Sequence, residues 1–156
     1  MSTDILKIPK SLVPVRLWVH PEGQVVGSLF LREQTTAQPI DAEQPLDVLN
    51  RANPFLVVKR EQPDELRFYN RASIIRVEYT ETEAPKDKTV AALECQLQMM
   101  DGSILDGVIR EQLPPDYSRL FDYLNLQGNN FIKIYVSSMD VCLVNKSYII
   151  HARTSK

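Results

Sequence analysis

The side chains in this 156-residue chain best suited to hold a metal or drive nucleophilic chemistry are two histidines, His20 and His151, and two cysteines, Cys95 and Cys142. Zinc needs several such ligands at a characteristic spacing, and no such spacing joins these four. A Ser–His–Asp or Cys–His centre would have to be assembled from scattered residues without a motif around any of them. The five glycines do not cluster, so no phosphate-cradling loop is written in the chain. Asp106 and Asp122 are candidate carboxylates, but a solvated surface or a helix cap explains each. The residues therefore assign no catalytic group, no metal and no cofactor.

Binding chemistry is better represented. Arg16, Trp18 and His20 alternate with Val15, Leu17 and Val19, which places a tryptophan beside two cationic or polar partners on one strand face. Tryptophan and arginine are the side chains that most often anchor interfaces. Packing of Trp18 on another part of the same chain is the competing reading. Asp41 and Glu43 lie in a polar, turn-rich connection at 34–44 and are further candidates for contact with a partner.

Charge bears on the partner's nature. The chain holds 18 basic and 20 acidic residues, for a formal net charge of −2. Lys59, Arg60, Arg67, Arg71 and Arg76 lie close together, but Glu61, Asp64, Glu65 and Glu78 are interspersed among them. A phosphate-backbone binder usually shows an excess of one sign. No run of eighteen apolar residues is present, nor is a signal-peptide pattern. Cytoplasmic location follows as an expectation, with Cys95 and Cys142 as buried reduced thiols.

The elements that must position these residues are mostly strands. Period-two alternation marks 13–20, and 24–33 returns after a Pro-Glu-Gly turn. Gly27 inside that return strand marks a sharp bend. A short helix is expected from Pro45 to Ala52, then strands at 55–59, 66–70 and 72–80. A charged stretch at 81–88 separates these from a second set. There Asp101-Gly102 signals a hairpin, Gly107 marks a second bend, and a helix is expected from Asp116 to Leu126.

The second set repeats the first. Leu49 and Asn50 match Leu124 and Asn125 at an offset of 75, as Asn70, Ile74 and Ile75 match Asn145, Ile149 and Ile150. Phe55 matches Phe131 at 76 and Gly27 matches Gly107 at 80. These pairs read as structural, since Asn closes helix ends and turns; ligand contact at repeated positions is the alternative. The order "DG…G", "FDYLN", "F" and "NKxxI", carried by Asp101, Gly102, Gly107, Asp122, Leu124, Asn125, Phe131, Asn145, Lys146 and Ile149, resembles uncharacterised bacterial Sm-like proteins. The first copy departs from it at Glu22-Gly23 and at Arg71.

This resemblance implies a mainly β fold of two tandem Sm-like (SH3-like) small barrels. Each would have about five bent antiparallel strands and one short helix, and the two would pack as a pseudo-dimer. The expected organisation is a leader at 1–11, repeats at 12–80 and 92–153, and a linker at 81–91. The resemblance also implies strand-mediated association, and RNA binding in some members, although the arginine–glycine ending those members use is replaced by Val144-Asn145-Lys146. The leading functional expectation is a non-enzymatic protein-interaction or adaptor module with a protein partner and some self-association. An RNA- or nucleic-acid-associated protein and a small enzyme without a recognisable motif are the alternatives.

Overall fold

In a computed structural model the described residues are 10–32, 43–82, 91–111 and 119–154. Asp41, most of the 34–44 connection, the leader up to residue 9 and much of the 81–91 linker lie outside them. Ten strands are seen among the described residues. The first five are β1 (Lys10–Val19), β2 (Gly23–Arg32), β3 (Phe55–Arg60), β4 (Glu65–Asn70) and β5 (Ile74–Thr80). The second five are β6 (Ala91–Met99), β7 (Ile104–Glu111), β8 (Phe131–Tyr135), β9 (Asp140–Asn145) and β10 (Ile149–Thr154). Two one-turn helices, α1 (Pro45–Leu49) and α2 (Leu120–Leu124), precede β3 and β8.

Local chemistry accounts for these elements. The β1–β2 and β6–β7 turns pass through Gly23 and Gly102 at φ 95° and 92°, a region that costs other residues a steric penalty. Pro45 opens α1, and the Gln44 amide donates to Asp47 Oδ2 at 2.9 Å. Both helices are shorter than their sequence pattern suggests. Asn50 and Asn125 leave the helical region immediately after the fifth residue, at ψ 8° and 7°.

The strands form one antiparallel sheet in the order β10-β6-β7-β8-β9-β5-β1-β2-β3-β4. This overturns the expectation of two discrete small barrels, and with it the Sm-like assignment. A five-stranded barrel closes only if its last strand pairs back within its own repeat. Here β5 gives its outer edge to β9 of the other repeat, from Arg76 opposite Val144 to Thr80 opposite Asp140. Among the described residues, strands β4 and β10 pair on one side only, with β3 and β6. The sheet is continuous and open, with β5·β9 at its middle.

Two cores lie on this sheet. The first gathers Leu17, Leu29, Leu49, Val58, Ile74 and Val77 of the first repeat, and adds Phe131, Tyr135, Val141 and Leu143 of the second. The second gathers Leu97, Met99, Ile109, Tyr123, Ile132, Ile134, Cys142 and Val144, together with Ile75. Alternate side chains of β8 and β9 therefore serve different cores. That is why both strands are apolar on both faces, where a half-exposed strand would alternate. Cys95 and Cys142 are free and buried, and burial pushes their thiols up to about 11 and about 12.

Candidate functional site

The best-built contact surface in the molecule is the junction between its own halves. Asn50, at the end of α1, grips the second repeat with both atoms of its amide. Its Oδ1 accepts from the Phe131 backbone N at 2.8 Å and its Nδ2 donates to the Phe131 carbonyl at 3.1 Å. From the other side the buried Asn145 donates to the Ile74 carbonyl at 2.9 Å, while its Oδ1 accepts from Ser147 N at 2.9 Å. Lys133 on β8 donates to Glu81 Oε2 at 2.7 Å, just beyond β5, and the Tyr135 hydroxyl donates to Glu81 Oε1 at 2.9 Å. Burial works against the Lys133 charge, but Glu81 and the neighbouring tyrosines hold its pKa above the ordinary lysine value.

Trp18 belongs to this junction. It is half-buried and packs against the second core, with the Arg76 guanidinium 4.2 Å from its ring centroid. Arg76 also donates to Asp101 Oδ2 at 3.2 Å and Ser103 Oγ at 3.1 Å in the β6–β7 turn. Arg16 is exposed and pairs with Glu78 at 3.2 Å. His20 lies beyond the strand end with its ring 6.5 Å from that of Tyr148. The structure thus draws Arg16, Trp18 and His20 toward the seam between repeats.

Glu43 sits elsewhere. Its carboxylate accepts from the Arg32 backbone N at 2.9 Å and pairs with Arg51; burial opposes the charge, but these two partners outweigh it and lower its pKa. A cavity of about 330 Å³ lies beside it, with Arg51, Phe55, Phe68 and Arg71 in its wall. Arg71 is turned inward to the carbonyls of Val48 and Asn53, where α1 ends. Its repeat-mate Lys146 donates to the carbonyls of Leu124 and Leu126, both at 3.1 Å, past α2. Both cations satisfy helix-end carbonyls, and burial lowers both pKa values.

The paired residues of the repeat sort by role. Gly27 and Gly107 allow close approach: a Cβ on Gly27 would lie 2.6 Å from the Lys59 carbonyl oxygen, and one on Gly107 2.9 Å from that of Tyr135. Leu49 is buried and Leu124 half-buried, each beside its own core. Asn70 accepts from Ala72 N at 2.9 Å, as Asn145 does from Ser147 N, but is exposed. Asn125 is exposed and donates to the Phe121 carbonyl at 2.8 Å.

Residues that sequence reasoning passed over lie at the two ends of the sheet. On the β3–β4 hairpin Phe68 is 71% exposed, Leu66 56% and Phe55 51%, and on β10 Ile150 is 57% exposed. A signal for them was present. Each falls at a position that is apolar in both repeats, including one copy where the mate is buried. Among the described residues no three His, Cys, Asp or Glu side chains converge on a cation site, and no helix is long and apolar enough to cross a membrane.

No family model, curated protein or solved structure matches the chain. The site's reading therefore rests on its own geometry: a sheet with two edges unpaired among the described residues, one of them bordered by three large exposed apolar side chains.

Proposed function

We propose that the protein is a non-enzymatic interaction module that binds protein partners by adding their strands to the open edges of its sheet. The observation that carries this reading is the β3–β4 hairpin. Strand β4 presents a row of backbone N–H and C=O groups without a strand partner among the described residues. Phe68, Leu66 and Phe55 lie alongside, exposed and outside both cores of the described residues. An exposed apolar edge is a liability for aggregation unless something pairs with it. Main-chain pairing supplies affinity in strand addition, and alternate side chains supply selectivity.

The basic residues clustered between 59 and 76 in the sequence support a protein partner over a nucleic acid. Lys59 pairs with Asp64, Arg60 with Glu22, Arg67 with Glu65, and Arg76 with Glu78 and Asp101. Arg71 is committed to backbone carbonyls. These cations already have protein counter-groups, so they add little attraction for phosphates.

Backbone hydrogen exchange on the full chain, with and without proteins it captures from native lysate, tests the reading. Bound proteins are expected to protect amides of β4 or β10, and Phe68→Glu is expected to abolish binding at β4. Leu12→Glu, at an exposed site on β1, should leave binding intact. Bound proteins that ignore Phe68→Glu and protect neither edge would sink the reading.

A further inference from the structure

We infer that the strand each open edge accepts comes from a second copy of this chain, with β4 of one molecule pairing antiparallel with β10 of the next. The inference rests on the edge-addition reading and names its partner. It comes from the way the repeat is laid across the sheet. The first repeat is ordered β5-β1-β2-β3-β4 and the second β10-β6-β7-β8-β9. Strand β9 is the repeat-mate of β4, and β5 is the repeat-mate of β10. The internal junction joins β9 to β5, so the two strands left over at the ends are the same pair.

Side chains follow the backbone. Leu143, Val141 and Phe131 are 0%, 1% and 2% exposed at the junction, and their mates are the exposed Phe68, Leu66 and Phe55. Ile75 is 6% exposed, and its mate is the exposed Ile150. The polar clamps are also half-used. Asn50 grips the Phe131 backbone, whereas its mate Asn125 is exposed and Phe131's mate Phe55 stands at the far end. Asn145 donates to the Ile74 carbonyl, whereas its mate Asn70 is exposed and Ile74's mate is Ile149 on β10. One end therefore carries the apolar hairpin, and the other carries the edge and the helix that a repeat-mate of that hairpin fits.

The junction also sets a register. Transferring Arg76 opposite Val144, Val77 opposite Leu143 and Tyr79 opposite Val141 by 75 positions puts His151 opposite Tyr69, Ala152 opposite Phe68 and Thr154 opposite Leu66. One pair departs from the junction's chemistry. Arg153 falls opposite Arg67, where the junction has Glu78 opposite Cys142. Arg67 already pairs with Glu65 at 2.7 Å, which offsets part of that repulsion. Two different surfaces meet in this contact, so it is heterologous and propagates head to tail, into a closed ring or an open chain.

The experiment uses the full chain and reads mass in solution by sedimentation velocity. Wild type at micromolar concentration is expected to sediment as multiples of its 17.9 kDa mass. Phe68→Glu spoils the β4 end and leaves β10 intact, and Ile150→Glu does the reverse. Both side chains are exposed, so circular dichroism should be unchanged. Each variant alone is expected to be monomeric, with association weakened roughly tenfold or more. Mixed together they should form a one-to-one dimer through the single good pair of ends. Arg153→Glu, which faces Arg67 in this register, should tighten association roughly twofold to fivefold.

A wild type that stays monomeric, or blocked variants that still associate alone, would overturn the inference. So would a mixture that forms no dimer, and an Arg153→Glu variant that binds no tighter would overturn the register. If the chain stays monomeric while another protein protects β4 or β10, this inference falls and the edge-addition reading stands. If neither edge is protected in any complex, both fall.

Discussion

Two asparagines of the same repeat position test how far chemistry follows location. Asn50 and Asn125 both end a one-turn helix, but Asn50 also makes two hydrogen bonds to Phe131 across the junction. Asn50→Ala strips the Phe131 amide and carbonyl of their partners in a part-buried place, at a cost of about 2 kcal/mol, whereas Asn125→Ala should cost under about 1 kcal/mol. Urea unfolding at high dilution measures the difference, and equal costs would contradict the clamp. Asp101 makes a pH prediction at the same seam. Burial raises its carboxyl pKa, but the Ser103 hydroxyl and amide, with Arg76, outweigh burial and hold it below the ordinary 3.8. A lowered native pKa means the stabilisation is complete above that ordinary value and is lost as pH falls through it toward the native one. The urea midpoint should therefore drop on acidification from about pH 5 to pH 3, and should drop less in Asp101→Asn.

At the scale of elements, Gly27 and Gly107 are where strands approach too closely for a side chain. Gly27→Ala would drive a methyl against the Lys59 carbonyl and Val58, and Gly107→Ala against the Tyr135 carbonyl and Ile134. Each should destabilise by about 2 kcal/mol and lower the melting temperature by about 5 °C, measurable by calorimetry. Those close approaches were legible in the sequence, because a glycine inside an apolar alternating run gives up packing that only a bend or a close backbone approach repays. The strands themselves were legible from their period: Val15, Leu17 and Val19 alternate, and they are buried as that alternation requires. The pairing of strands was not. Nothing local in 74–80 says whether β5 pairs back to β4 or outward to β9, because either partner satisfies the same backbone groups. The end of α2 was overestimated because Leu126 continues an apolar stripe past the point where Asn125 leaves helical geometry. For Trp18 the period left two readings open, an interface anchor or packing on another part of the chain, because it says nothing of what lies over the far face of β1. Trp18 alone on that face is half-buried against the second core, and no local pattern reports a neighbour distant in sequence.

The molecule as a whole should then behave as one cooperative unit despite its two repeats. Two independent barrels would each own a core and could melt apart. Here β8 and β9 are shared, with Phe131, Val141 and Leu143 in the first core and Ile132, Cys142 and Val144 in the second. Melting the second repeat removes part of the first core and the strand partner of β5. Melting the first leaves the inner faces of β8 and β9 in water. Thermal unfolding at dilute protein is therefore expected to be a single transition, with calorimetric and van't Hoff enthalpies in agreement. Leu143→Ala gives the sharper reading. The residue lies in the second repeat but packs in the first core, and its truncation should cost about 2–5 kcal/mol. With shared strands, the variant's tryptophan fluorescence from Trp18 and its far-ultraviolet dichroism should shift to lower temperature together and by the same amount. Two resolved transitions, with only the dichroism of one half displaced, would show that the repeats hold separate cores and that the sheet's middle pairing contributes little to stability.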